Sequence, residues 1–157
     1  MQVSSFAEIE PEFIERAHRM VWCDMATVGP DGRPRARIVH PVWEDNTAWI
    51  TSMRTGPKAD DIDRTPFVSL AYVSDPVRPA YAECIASWVD DREERIEIWK
   101  RIAAIPEPLG YDAETMFGSY DVPNLTMLCL RPWKIRLMVA RDVSERRIWE
   151  EQRTGRR

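Results

Sequence analysis

Histidine is scarce in this chain: among 157 residues there are two, His18 and His40. Neither belongs to a Cys/His cluster, so metal-ligand spacing is missing. A hydrolase triad would have to recruit one of them, and no Ser-His-Asp or Cys-His arrangement is compelling around either. Cysteine is nearly as sparse. Cys23, Cys84 and Cys129 are odd in number, far apart and set in apolar strand-like runs, the pattern of buried free thiols in a reducing cytoplasm. The six glycines build neither common phosphate fingerprint: "TGPKAD" lacks the glycines and the Lys-Ser/Thr pair of a P-loop, and no Rossmann glycine motif opens a βαβ unit. No apolar run approaches the ~20 residues of a membrane span. The N-terminal "MQVSSFAEIEPEF" lacks the basic and apolar regions of a signal peptide. Net positive charge is absent too. Lys and Arg number 22 against 26 Asp and Glu, a balance of −4, which argues against general nucleic-acid binding.

What is present is a globular composition. Hydrophobic residues make up 44% and charged residues 31%, which with this length predicts a single domain with a real core. The domain is expected over 1–140, followed by a charged, exposed and helix-like tail at 141–157. Apolar spacing predicts a helix over 5–19, with Pro11 tolerable only if the helix starts close to it. Strands are expected at 21–28, 35–44, 47–53, 67–73 and 80–89, with one or two more over 125–140. "GPDG" at 29–32 and "DN" at 45–46 are turns, and Pro41 marks a bulge or an edge. Short helical turns are expected at 58–64. A longer helix over 91–104 is capped by Asp90 or Asp91, with Asp91–Arg95 and Glu97–Arg101 as pairs on its solvated side. Consecutive antiparallel strands with few helices predict a mainly β (α+β) fold, a small closed barrel with peripheral helices.

The stretch "TSMRTGPKAD" at 51–60 carries two cations, Arg54 and Lys58, and three hydroxyls, Thr51, Ser52 and Thr55, around the breaker pair Gly56-Pro57. Arg35 and Arg37 share one face of the neighbouring strand, because they are two apart. A helix starting near Lys58 would add unpaired backbone N–H groups and a dipole that favours an anion. The stretch therefore reads either as a phosphate cradle or as a polar turn with exposed cations. No reactive side-chain machinery accompanies it, so an enzyme built on this chain would take its chemistry from a cofactor.

The ordered set "DGRP", an Arg-bearing strand, "WITS", a cationic loop with Lys and "IDRTPFVSLAYV" resembles the FMN-binding split β-barrel family, best known for pyridoxamine 5′-phosphate oxidases. The likeness spans roughly residues 20–90, with an echo in "LCLRPWKIRLM". It implies a six-stranded-type antiparallel split barrel and a homodimer with two cofactors at the interface. It further implies Arg35 or Arg37, Lys58, Arg54 and Thr55 around the phosphate, and Thr51 and Ser52 at the strand end. His40 would approach the flavin ring, while Tyr81 and Trp88 contribute across the dimer and Trp133 comes from a late strand. The chain ends "WKIRLMVARDVSERRIWEEQRTGRR" without the His-bearing signature of the vitamin-forming members, so the resemblance is to the family and not to that activity. It implies a cytoplasmic oxidoreductase that binds FMN or, alternatively, the deazaflavin coenzyme F420, with NAD(P)H as reductant and a small-molecule substrate. A flavin carrier without turnover is the remaining alternative. No metal, nucleic acid or membrane is expected.

Overall fold

The computed structural model describes residues 1–152. The last five positions of the expected tail lie outside the described residues. In chain order the elements are α1 (Phe6–Met20), β1 (Cys23–Val28), β2 (Pro34–Val39), β3 (Val42–Glu44), β4 (Thr47–Met53), α2 (Pro57–Arg64), β5 (Phe67–Tyr72), β6 (Ala80–Trp88), α3 (Arg92–Ala104), α4 (Ala113–Phe117), β7 (Leu125–Leu137) and β8 (Arg147–Glu150). A single antiparallel sheet runs in the order β2-β1-β5-β6-β7-β4-β3, with β8 added beside β7. The sheet has eight strands where the family likeness implied six.

The expected strand over 35–44 is two strands, broken at His40-Pro41. β2 pairs with β1 and β3 pairs with β4, so consecutive segments lie at opposite ends of the strand path. Val39 and Val42 are three residues apart, and a chain reaches only ~3.5 Å per residue. Both ends of the path therefore meet at one corner, and the sheet curls into a split barrel. Proline suits this corner because its nitrogen has no hydrogen to offer either neighbour.

α1 does not start at Pro11. It starts after Ser5, whose backbone N–H and hydroxyl both donate to the Glu8 carboxylate. Pro11 is carried inside the helix because burial of Ile9, Phe13 and Ala17 outweighs one missing hydrogen bond. Phe13 meets Trp43 edge-on at 4.8 Å, and the Trp43 indole donates to Tyr72 Oη at 2.7 Å in the barrel interior. α3 covers a second apolar cluster, setting Ile98, Trp99 and Ile102 against Val42, Leu125 and Met127. Asp91 caps it by accepting from Glu94 N–H. Its arginines do not form the expected intrahelical pairs: Arg95 donates to Leu125 O and Arg101 to Glu44.

The described part of the tail, 141–152, is not a helical extension. After a short 3-10 turn at Val143–Glu145 it forms β8, paired with the second half of β7. β7 itself carries a bulge: Glu83 pairs with Lys134 and Cys84 with Pro132, leaving Trp133 as the extra residue.

Candidate functional site

β3 pairs with β4 only over Thr47–Trp49, so β4 from Ile50 to Met53 has a free edge at the barrel seam. A cleft of about 400 Å³ opens there. Five of the predicted residues line it: His40 from the β2–β3 corner, Thr51 and Ser52 from β4, and Thr55 and Lys58 from the turn into α2. Trp22, Ile38 and Met53 supply apolar wall, and the 105–124 connection adds Tyr111, Met116 and Phe117.

The turn works through Gly56 and Pro57. Gly56 sits at φ +90 and ψ 177, a conformation open almost only to glycine, and Pro57 is the first residue of α2. Among the described residues, no side chain caps the helix start. Lys58 is half-buried one residue further on and, among the described residues, forms no ion pair. Burial and the nearby Arg37 guanidinium both push its pKa below the ordinary lysine range.

Arg35 and Arg37 point from β2 toward the barrel interior, but neither is free. The fully buried Asp61 of α2 lies 3.1 Å from Arg35 Nη1 and 3.6 Å from Arg37 Nη2. Thr27 on β1 links the group: its hydroxyl donates to Asp61 at 2.7 Å and accepts from Arg37 Nη1 at 2.8 Å. Burial lowers the pKa of Arg37, an effect that Asp61 opposes. Arg54 is engaged elsewhere. It pairs with Asp63 at 2.6 Å and lies 4.7 Å over the Trp88 ring, whose indole donates to the same carboxylate.

His40 is held on three sides. Its ring lies 4.8 Å from Trp22 and 4.6 Å from Tyr111, and Nε2 is 3.1 Å from Leu109 O. A carbonyl only accepts, so Nε2 carries the hydrogen. Nδ1 is buried without a partner among the described residues. Burial lowers the His40 pKa more than the neighbouring carbonyls raise it, so the ring is neutral at pH 7. Tyr111 continues the array. It donates to Thr51 Oγ1 and accepts from the Thr51 N–H, both at 3.0 Å, which closes one position on the free edge of β4. The connection is seated by Gly110, where a side chain would run into the carbonyl oxygens of Ile102 and Ile105.

Tyr81 and Trp133 are not brought to this cleft, and Trp88 stays with Arg54 on the outer side of α2. Tyr81 faces outward from β6 under Arg136, 5.0 Å away. Trp133 lines a separate shallow groove with Val28, Phe67 and Glu83. The residues that sequence reasoning missed are Trp22, Thr27, Asp61, Tyr111, Met116 and Phe117. Asp61 alone left a trace, its spacing of three from Lys58 on one helix face.

A curled antiparallel sheet with a cleft at its seam, Lys58 at one end and aromatic rings at the other, defines a split β-barrel. A family model described as pyridoxamine 5′-phosphate oxidase matches residues 9–138, and the chain belongs to that family. Solved structures agree on the fold. A protein from Clostridium acetobutylicum related to general stress protein 26, of the pyridoxinephosphate oxidase family, is 14% identical. It aligns with TM-score 0.71 over 91% of this chain and 94% of its own. A pyridoxamine 5′-phosphate oxidase-related, FMN binding protein from Nostoc punctiforme is 20% identical, with TM-score 0.65 over 88% of each chain. A heme binding protein from Mycobacterium smegmatis is 18% identical, with TM-score 0.63 over 87% of this chain and 55% of its own. A comparison with curated proteins finds no match.

Proposed function

We propose that this chain binds FMN in the seam cleft and acts as an oxidoreductase on a small organic substrate. The observation that carries the reading is Lys58: a half-buried ammonium without a carboxylate partner among the described residues, beside Arg37 and an uncapped helix start. Such a position is costly for a cation unless an anion completes it. The residues present fit a phosphate-bearing ring cofactor. Lys58 and Arg37 would hold the phosphate, with Thr55 and Ser52 offering hydroxyls beside them. The apolar and aromatic wall of Trp22, Met53, Tyr111 and Phe117 would cover a flat ring and exclude water from it. Bound FMN would supply hydride transfer between a reduced nicotinamide and the substrate.

The homodimer belongs to the same reading. The outer sheet face sets Ile38, Ala36 and Pro34 of β2 beside Ala26 and Val28 of β1, then Phe67 of β5 and Ile85 of β6. Ile38 and Phe67 are about half exposed, at 57% and 49%. Asp24, opposite Ile38, and Ser69 and Glu83, opposite each other, share this face, so its apolar residues form a patch with polar neighbours, and a second copy covering it would bring Tyr81 and Trp133 into an interface. The free cysteines fit a reducing cytoplasm.

Titration of the purified protein with FMN, read by quenching of flavin fluorescence, tests the reading. Saturable binding is expected, weakened about tenfold to a hundredfold by Lys58→Ala, the range for a charge-assisted hydrogen bond. Unchanged affinity in that variant would remove Lys58 from the site. Tighter binding of the deazaflavin coenzyme in a parallel titration would replace FMN as the cofactor. Bound flavin that no nicotinamide reduces would point to a carrier.

A further inference from the structure

Arg35 and Arg37, which lie behind Lys58 and outside the cleft lining, are organised by one carboxylate. Asp61 has no exposed surface, and its two oxygens are fully engaged: Oδ1 takes Arg35, while Oδ2 takes the Thr27 hydroxyl and faces Arg37. Thr27 in turn accepts from Arg37, so β1, β2 and α2 are tied at one point. Asp61 lies three residues after Lys58, and on a helix that spacing sets both on one face. The carboxylate that fixes the arginines therefore also fixes the azimuth of the helix that presents the lysine.

Charge makes the same point. Arg37 and Lys58 are like charges packed into a partly dry space, with the more exposed Arg35 on the other oxygen of Asp61, an arrangement that would repel without a counter-ion. One buried carboxylate against three cations leaves two net positive charges. A phosphate monoester carries about −1.5 to −2 at pH 7. The geometry points to Asp61 as the positioning residue of a phosphate-reading subsite: it holds Arg37 beside the cleft-lining Lys58, and seats the helix that presents that lysine, in register for a phosphate monoester dianion, and so makes the cleft prefer the phosphorylated ligand over its dephospho form. The inference rests on the proposed FMN reading and deepens it.

The opposite role is physically available. If Asp61 only neutralised the arginines, it would compete with an incoming phosphate, and removing its charge would tighten phosphate binding. The two roles differ in sign. The test is the ratio of affinities for FMN and riboflavin, measured by fluorescence titration in the unaltered protein, in Asp61→Asn and in Thr27→Val. Asn keeps the size of Asp and a hydrogen bond to Thr27 but cannot hold two guanidinium groups. Thr27→Val leaves the carboxylate and removes only the hydroxyl that bridges it to Arg37, so it supplies a folded variant should Asp61→Asn fail to fold.

The expected result is a preference for FMN in the unaltered protein. The preference should fall about tenfold in Asp61→Asn and by less in Thr27→Val, with riboflavin affinity unchanged in both. A purely structural role would weaken both ligands alike and leave the ratio intact, which would overturn the proposal. A ratio that rises in Asp61→Asn would overturn it in favour of competition. Equal affinity of the unaltered protein for FMN and riboflavin would overturn it while leaving flavin binding in place. Binding of neither ligand would remove the FMN reading and the proposal together.

Discussion

His18 and His40 are both governed by burial, which lowers their pKa below the ordinary value of about 6.5. In this window the unfolded chain binds more protons than the folded one, so stability rises with pH. Their contribution is complete above pH ~6.5 and is lost as pH falls toward the depressed folded values. Urea midpoints should therefore decline between about pH 6.5 and pH 5, above the range in which ordinary carboxylates titrate. His40→Phe keeps a ring between Trp22 and Tyr111 and cannot protonate, so it should flatten that decline; an unaltered slope would assign the effect to other groups. At this scale sequence reasoning reached Thr51, Ser52, Thr55 and Lys58, because each sits at the end of a patterned strand or at a breaker, while His40, expected mid-strand, came from the family resemblance. It missed Asp61 for a physical reason. In "KADDIDR" three aspartates compete, and only the seating of α2 on the barrel decides which one turns inward. Tyr111 lies in a stretch without periodicity, so nothing local marks its reach to Thr51.

At the scale of elements, α1 is pinned to the barrel by a buried side chain in addition to its apolar face. The buried Arg16 guanidinium donates through Nη1 to the carbonyls of Arg78, Pro79 and Met138, and through Nη2 to Glu12. Arg16→Met should cost about 3 kcal/mol of unfolding free energy, since it removes the hydrogen bonds to three carbonyls and leaves those of Arg78 and Met138 without a partner among the described residues while keeping most of the packing. Chemical denaturation reads the loss directly, and a change under ~0.5 kcal/mol would mean the carbonyls find water instead. Element identity was largely legible. The 47–53 strand matches its sequence range, and α2 and α3 begin within a residue of expectation. Two features were not legible. The chain breaks at His40-Pro41 because β2 pairs with β1 while β3 pairs with β4, and the strand at Arg147–Glu150 forms because the chain folds back onto the end of β7. The sequence around "RRIWEE" is charged enough to resemble a helix. Its Trp149 is nonetheless buried in the main core, against Phe6 at 5.2 Å.

For the whole molecule, the barrel class was legible from the run of antiparallel strands, while its closure at a two-residue seam was not. The outer face around Phe67 provides the test of assembly. Sedimentation should show a particle of twice the 18.3 kDa chain mass, and Phe67→Glu should shift it toward monomer by placing a charge in a dry interface. A monomeric unaltered protein would confine Tyr81 and Trp133 to the surface. Gly110 bears on the molecule over a longer time. The wall above the cleft hangs from a residue that tolerates no side chain, whereas Met116, at 52% exposed, meets little resistance to change. Sequence drift in this region is therefore channelled. The anchor must persist while the lining varies freely, so descendants of this chain could acquire new ligand preferences by altering the wall without re-evolving the barrel that carries it.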